Sequence, residues 1–232
     1  MRPAPGPPGV PEGPPWEVPA SALGTQQLFR MSYSGPRGEG SFRLALKVET
    51  AARYQALAVD PLGRALWSLD VSAGRGLFLD HRARAACPLD GSLSLAGAPL
   101  DRIELSDLPK LLLGRVPMTP RETAATEASG EIDLKGPKGE VWKVKLEDGR
   151  PVRWVLLRAG SRTASWEVEK GESVLSDRSG GKLRWKSSVA ERLTGPLAVL
   201  PSPEGYASGG CAALRASMEF APPPESLPTP RG

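Results

Sequence analysis

The sequence predicts a mainly β fold: a meander of short antiparallel strands curling into a barrel or half-barrel, with one short helix on its apolar side. Three observations predict it. Apolar residues recur at every second position, tight-turn signals separate the runs, and one leucine-rich segment breaks the pattern. A period of two sends alternate side chains to opposite faces, so each run buries one face and wets the other.

The clearest run is 41–48, where Phe42, Leu44, Leu46 and Val48 share one face while Ser41, Arg43 and Lys47 share the other. Runs 53–59 and 65–71 repeat it across the turn Asp60-Pro61-Leu62-Gly63, and 76–80 follows Gly74-Arg75-Gly76. In the second half, 141–146 and 152–157 flank Asp148-Gly149, a two-residue hairpin signal. Runs 163–168, 173–176 and 183–187 continue, punctuated by Gly160, Gly171 and Gly180-Gly181. Short strands with regular turns argue for a meander that closes or half closes.

Residues 105–114 differ. They open with N-cap residue types, carry Pro109 early enough for a first helical turn, and end in Gly114. Leu108, Leu111 and Leu112 share a face, so this helix lies apolar side down, and Pro117 and Pro120 end the segment.

At 232 residues the chain suits one domain of roughly 180–200 residues with flexible ends. Its 25 prolines crowd toward the termini, which divides it into a disordered Pro/Gly-rich stalk at 1–20, one domain at 21–220 and a disordered Pro-rich tail at 221–232. The 40% apolar and 24% charged residues suit a packed core with a soluble surface.

Several function classes are excluded. The net charge of +4 is mild and no basic run with interleaved aromatics occurs, so no nucleic-acid partner is expected. A weak attraction to anionic headgroups stays open. No apolar run reaches the roughly 18 residues of a helical membrane span. The start, Met1-Arg2-Pro3-Ala4-Pro5-Gly6-Pro7-Pro8, lacks the apolar core of a signal peptide and reads as the stalk that follows a removed signal or a lipidated cysteine.

The sequence holds one histidine, so triad chemistry would rest on His81 alone, and Asp80-His81-Arg82 reads as a solvent-facing turn. There is no phosphate loop, and Gly74-Arg75-Gly76 lacks the third glycine of a dinucleotide motif. The acidic residues show no pairing that suits glycoside chemistry. The expectation is a non-enzyme with no catalytic residues and no cofactor. The two cysteines, Cys87 and Cys211, have no metal-binding spacing, so no metal is expected. Whether they are bonded or are two free thiols stays open.

What the chain has in excess is bulky apolar surface. Trp67, Trp142, Trp154, Trp166 and Trp185 all lie inside alternating runs. Trp142 shares its face with Val144 and Leu146, Trp154 with Val152 and Leu156, Trp166 with Val168, and Trp185 with Leu183. Lys143, Lys145, Arg153, Arg184 and Lys186 occupy the opposite positions. One reading is an ordinary packed core. The other is an acyl-chain pocket, because one short helix covers little of so much apolar sheet. Its candidate lining is Phe42, Leu44, Leu46, Trp67 and Leu69 from the first strands, then Leu108, Leu111 and Leu112 from the helix. Trp142, Val144, Trp154, Leu156, Trp166 and Trp185 complete it. A dozen buried methylenes would contribute roughly 10 kcal/mol at about 0.8 kcal/mol each.

Asp60-Pro61-Leu62-Gly63 matches the residue preferences of a type I turn with Leu62 at its tip. The leucine either folds back on its sheet or dips into a bilayer or partner. Full exposure forgoes roughly 1.5–3 kcal/mol of burial.

The order of these pieces resembles the LolA/LolB-like lipoprotein carriers, and among them the outer-membrane lipoprotein receptor LolB. The residues that carry the resemblance are Asp60-Pro61-Leu62-Gly63, the helix Leu108-Pro109-Lys110-Leu111-Leu112-Leu113-Gly114 and the strand opening Val141-Trp142-Lys143-Val144, within about residues 25–190. The resemblance implies a half-open curved antiparallel β-barrel with short lid helices and a cavity for lipoprotein acyl chains. It implies that Leu62 protrudes and promotes insertion of cargo into the membrane. It also implies a monomer at the periplasmic face of the outer membrane, supplied by a periplasmic carrier and needing no energy source. A slightly tighter hold than the carrier's sets the direction of transfer, since each 1.4 kcal/mol is tenfold. The family anchor is an N-terminal cysteine, so either Met1 stands where that cysteine was or the protein is a soluble relative. Pro109 in the helix, and Cys87 with Cys211, depart from the family pattern. The same fold would also serve an accessory envelope lipoprotein that transfers no cargo.

Overall fold

The computed structural model describes residues 13–36, 38–93, 103–126, 130–201 and 204–208. Six strands follow one another as a meander: β1 (Thr25–Gly35), β2 (Gly38–Thr50), β3 (Arg53–Val59), β4 (Ala65–Ser72), β5 (Arg75–Asp80) and β6 (Ala85–Asp90). A small pair, β7 (Ser92–Leu93) with β8 (Ile103–Glu104), leads into a 3-10 turn at Leu105–Asp107 and the helix α1 (Leu108–Leu112). A second meander follows with β9 (Glu122–Thr126), β10 (Glu131–Lys135), β11 (Val141–Glu147), β12 (Arg150–Arg158), β13 (Ser161–Glu169), β14 (Glu172–Asp177) and β15 (Lys182–Arg192). The short strand β16 (Ala207–Ser208) comes last among the described residues.

Among the described residues, fourteen strands form one sheet in the order β16-β6-β5-β4-β3-β2-β1-β15-β14-β13-β12-β11-β10-β9. The two meanders meet where β1 pairs with β15. The neighbours are antiparallel except for the parallel pair β16 and β6 at one edge. Among the described residues β9 and β16 are the two edges, so the curved sheet is not closed. Of the barrel or half-barrel that the periodicity predicts, this is the half-open antiparallel form that the resemblance implies.

The turns explain the tight connections. Asp148 (φ 51°) and Gly149 (φ 74°) both adopt the left-handed conformation that a two-residue hairpin needs, and they join β11 to β12. The register then slips, pairing Lys145 with Arg153 but Leu146 with Pro151. This bulge buries Pro151 and leaves Val152 half-buried, so Val152 is not the full face-mate of Trp154 that alternation predicts. Val168, expected inside with Trp166, is 47% exposed at the end of its hairpin.

The helix forms where leucine spacing predicts, with Pro109 in its first turn and Gly114 (φ 72°) beyond its end. Its cap differs from expectation. Asp107 caps no backbone N–H; its carboxylate instead accepts Lys110 Nζ at 2.7 Å. Part of the segment expected as a stalk is in contact with the domain. Trp16 and Val18 pack against the core, and Val116 N–H donates to Pro15 O at 2.9 Å. Proline restricts this segment without preventing its apolar side chains from packing. Residues 1–12 and the expected tail at 221–232 lie outside the described residues.

Candidate functional site

One continuous apolar cluster draws on every long strand of both meanders and on α1. Of the candidate lining, Leu44, Leu46, Leu69, Val144 and Leu156 are buried on the sheet, and Leu108, Leu111 and Leu112 are buried on the helix facing them. Phe42 and Trp67 pack at the margin, half-buried, with Trp67 stacked on Phe78 at a ring separation of 5.6 Å. The alternation of adjacent strands therefore converges on one interior.

Three tryptophans form a row on consecutive strands. Trp154 on β12 stands directly opposite Trp166 on β13, and Trp142 lies beside it on β11. Ring centroids are 4.9 Å apart for Trp142 and Trp154, at 65°, and 6.3 Å apart for Trp154 and Trp166, at 20°. Such aromatic contacts contribute about 0.5–1.5 kcal/mol each beyond area burial. Their indole nitrogens are a different matter. The Nε1 atoms of Trp142, Trp154 and Trp166 are buried and, among the described residues, meet no hydrogen-bond acceptor. An unsatisfied buried donor costs about 1–3 kcal/mol, so three in one row form an unusual concentration.

The lid above them is held at both ends by aromatic side chains of the sheet. Tyr54 Oη donates to Leu105 O at 2.6 Å, and Trp185 Nε1 donates to Leu112 O at 3.0 Å. Burial pushes the Tyr54 phenol far up from its ordinary range, and the negative charge of Asp107 adds to this, so Tyr54 remains a neutral donor. A Cβ on Gly114 would meet Trp166 Cζ2 at 3.2 Å, so the lid backbone rests directly on the indole row. Val116 and Met118 extend the lid, buried in the same cluster.

The turn between β3 and β4 points the other way. Gly63 N–H donates to Asp60 O at 2.9 Å, which closes the turn, and Asp60 N–H donates to Arg64 O at 2.9 Å. The Asp60 carboxylate accepts Arg64 N–H at 2.9 Å and Arg64 Nε at 2.6 Å. Desolvation pushes this carboxyl up, but the hydrogen bonds and charge of Arg64, with the Leu62 N–H, outweigh it and hold it below the usual range. Leu62 stands clear at 79% exposure.

No family model matches the sequence, and no curated protein matches it. Solved structures do. A LolA superfamily protein from Nitrosomonas europaea superposes with a TM-score of 0.52 at 12% identity, over 80% of this chain and 90% of that one. The chain has the LolA-type fold. A domain assigned to outer-membrane lipoprotein sorting from Vibrio parahaemolyticus gives 0.47 at 8% identity, over 76% and 88% of the two chains. A DUF1329 family protein from Desulfovibrio piger gives 0.45 at 12%, over 75% and 87%. The last two are too loose to weigh.

On the outer face of this LolA-type sheet, the chain after β15 forms a strap. Arg53 pairs with Asp70, Gln55 Nε2 donates to Ala198 O at 2.6 Å, and Leu200 N–H donates to Asp70 Oδ2 at 2.8 Å. A hollow of about 470 Å³ opens beside it, lined by Lys47, Gln55 and residues 193–201, on the face opposite the apolar interior. His81 bridges Ser68 Oγ at 3.0 Å and Tyr206 Oη at 2.8 Å. The expected solvent-facing turn is thus a half-buried link that ties Tyr206 to β4. Cys87 is buried and disulfide-bonded in β6; Cys211 lies outside the described residues.

Sequence reasoning missed Tyr54, Leu105, Trp16 and Tyr206. Tyr54 was discoverable, since it alternates with the polar Arg53 and Gln55 on the face that Ala56 and Ala58 continue. Leu105 and Trp16 sit in irregular segments where periodicity has no meaning, and the contact of Tyr206 with His81 spans 125 residues.

Proposed function

We propose that this protein binds the acyl chains of lipoproteins in its apolar interior and helps deliver them into the outer membrane without an energy source. The observation that carries this reading is the roof: a five-residue helix, apolar toward the sheet, holds down the interior of an open sheet through two aromatic hydrogen bonds. So small a closure can lift without unfolding the strands beneath it. Acyl chains suit an interior of this chemistry, since their transfer is driven by apolar burial alone. The exposed Leu62 supplies an apolar contact to the bilayer at release. In this role the chain binds and does not catalyse, works in the cell envelope at the periplasmic face of the outer membrane, and receives cargo from a periplasmic carrier.

Native mass spectrometry of the purified chain with an acylated lipoprotein peptide tests binding, and transfer of that peptide to liposomes tests delivery. The expected result is a one-to-one complex that empties into vesicles. Failure to bind any acylated peptide would sink the reading. The second reading, an accessory envelope lipoprotein of the same fold without cargo, is favoured by interior residues closed off from solvent, such as Leu46, Val48, Leu134 and Val144. It predicts no affinity for acyl chains.

A further inference from the structure

The row of buried indoles has one property that an apolar filling does not need. Trp142, Trp154 and Trp166 are 5%, 0% and 1% exposed, yet none of their Nε1–H groups finds an acceptor among the described residues. Trp185 is equally buried and shows the alternative, since its indole donates to Leu112 O at 3.0 Å. Contacts of N–H groups with neighbouring rings do not serve all three. Trp154 and Trp166 lie within 20° of parallel, and an indole N–H points along its own ring plane.

We propose that these three indoles donate hydrogen bonds to the carbonyl oxygens of an ester- or amide-linked acyl lipid held under the lid; this rests on the acyl-binding reading above. The chemistry selects the acceptor. The donors are neutral and stand among apolar side chains, so a carboxylate or phosphate would lose its hydration without an opposite charge in the row. An alkane has no acceptor to offer. An acyl ester or amide has a neutral carbonyl oxygen joined to a long alkyl chain, matching donor and surroundings together. The donors also recur across consecutive strands, at ring separations of 4.9 and 6.3 Å, which suits a lipid with more than one acyl carbonyl near its headgroup. The lid backbone at Gly114 lies on Trp166, so the carbonyls would sit just beneath the helix and the alkyl chains deeper between the two meanders.

The test compares dioctanoylglycerol with its diether counterpart dioctylglycerol, which keeps the chains and loses both carbonyls. Affinities for the whole chain are read by displacement of an alkyl fluorophore. The diester should bind at least about fivefold tighter, the worth of one net hydrogen bond. Trp154→Phe should move that ratio toward one. Because this variant can fail to fold, the unmodified chain supplies a second reading. Its indole 1H–15N resonances for Trp142, Trp154 and Trp166 should shift downfield with the diester and not with the diether. Equal affinities and equal shifts overturn the proposal while the acyl-binding reading stands; no binding of either lipid overturns both. Repeating the ester preference with dioctanoylphosphatidylcholine and with a dioctanoylglyceryl-cysteinyl peptide identifies the source of the carbonyls, and its absence from both arms overturns the proposal.

Discussion

Trp185 donates its indole N–H to Leu112 O at 3.0 Å, so a strand at the middle of the sheet holds the end of the lid helix. Replacing Trp185 with Phe leaves that carbonyl without its donor inside the core. The expected cost is about 1–3 kcal/mol, read as a lower urea midpoint. Amide exchange in residues 111–116 should accelerate more than in β12 or β13. Uniform acceleration across the chain would show that the bond does not act on the lid.

Leu62 offers the opposite case, a leucine that contributes almost nothing to the fold. At 79% exposure it makes little packing, so Leu62→Glu should change stability by less than about 0.5 kcal/mol. Delivery of acylated peptide to liposomes should fall sharply while binding to the chain is kept. Undiminished delivery would remove Leu62 from the release step.

Asp60 shapes that turn, and its pH response has a defined sign. Its folded carboxyl lies below the ordinary aspartate value because the bonds and charge of Arg64 outweigh desolvation. Its contribution is therefore fully present above the unfolded value of about 3.9 and is lost as pH falls through the lower folded value. The Leu62 and Gly63 amide resonances should stay constant between about pH 5 and 8 and move only in stronger acid. Asp60→Asn should disturb them at neutral pH.

Cys87 lies two residues beyond Ala85, which β16 pairs with Ala207 in parallel register. The chain is thus led toward Cys87 as it approaches its second cysteine. A bond between Cys87 and Cys211 follows as a prediction. Thiol titration of the denatured protein should find no free thiol without reductant and two with it. Reduction should destabilise the fold by up to about 5 kcal/mol, the loop-entropy scale for a closed loop of roughly 125 residues.

His81 joins Ser68 to Tyr206, which gives a hydrolase reading a concrete form to test. Ser68 is buried, and Tyr206 takes the other ring nitrogen of His81. A fluorophosphonate should leave Ser68 unlabelled. His81→Ala should loosen residues 204–208 in amide exchange without altering acyl affinity. Labelling of Ser68 would reopen catalysis.

Alternation made the strands legible wherever one face is apolar and the other charged, as in β2 and β11, and it placed the tryptophans on a common face. Leucine spacing with an early proline did the same for α1. It could have found β1 too, where Phe29, Met31 and Tyr33 are buried between exposed Arg30, Ser32 and Ser34. β6 was hidden for a physical reason: Ala85-Ala86-Cys87-Pro88 has small side chains and a proline, which carry no strand signal. The bulge that buries Pro151 in place of Val152 arises from pairing between strands, and alternation within one strand cannot contain it. The indole row was legible as apolar surface, whereas its unmet donors emerge only when the acceptors of the described residues are placed around them.

The junction of β1 with β15 carries a kinetic consequence. Each meander is built from neighbours in sequence, and loops of two residues close many of its hairpins cheaply. The pairing of Thr25 with Arg192 and of Ser34 with Lys182 instead demands that remote parts of the chain meet. High sequence separation slows the search for such contacts. Two locally assembled halves should therefore form early and wait on this one zipper, whose completion sets the rate of refolding. Until it closes, each half carries a raw strand edge and an uncovered apolar face, so refolding yield should fall as protein concentration rises.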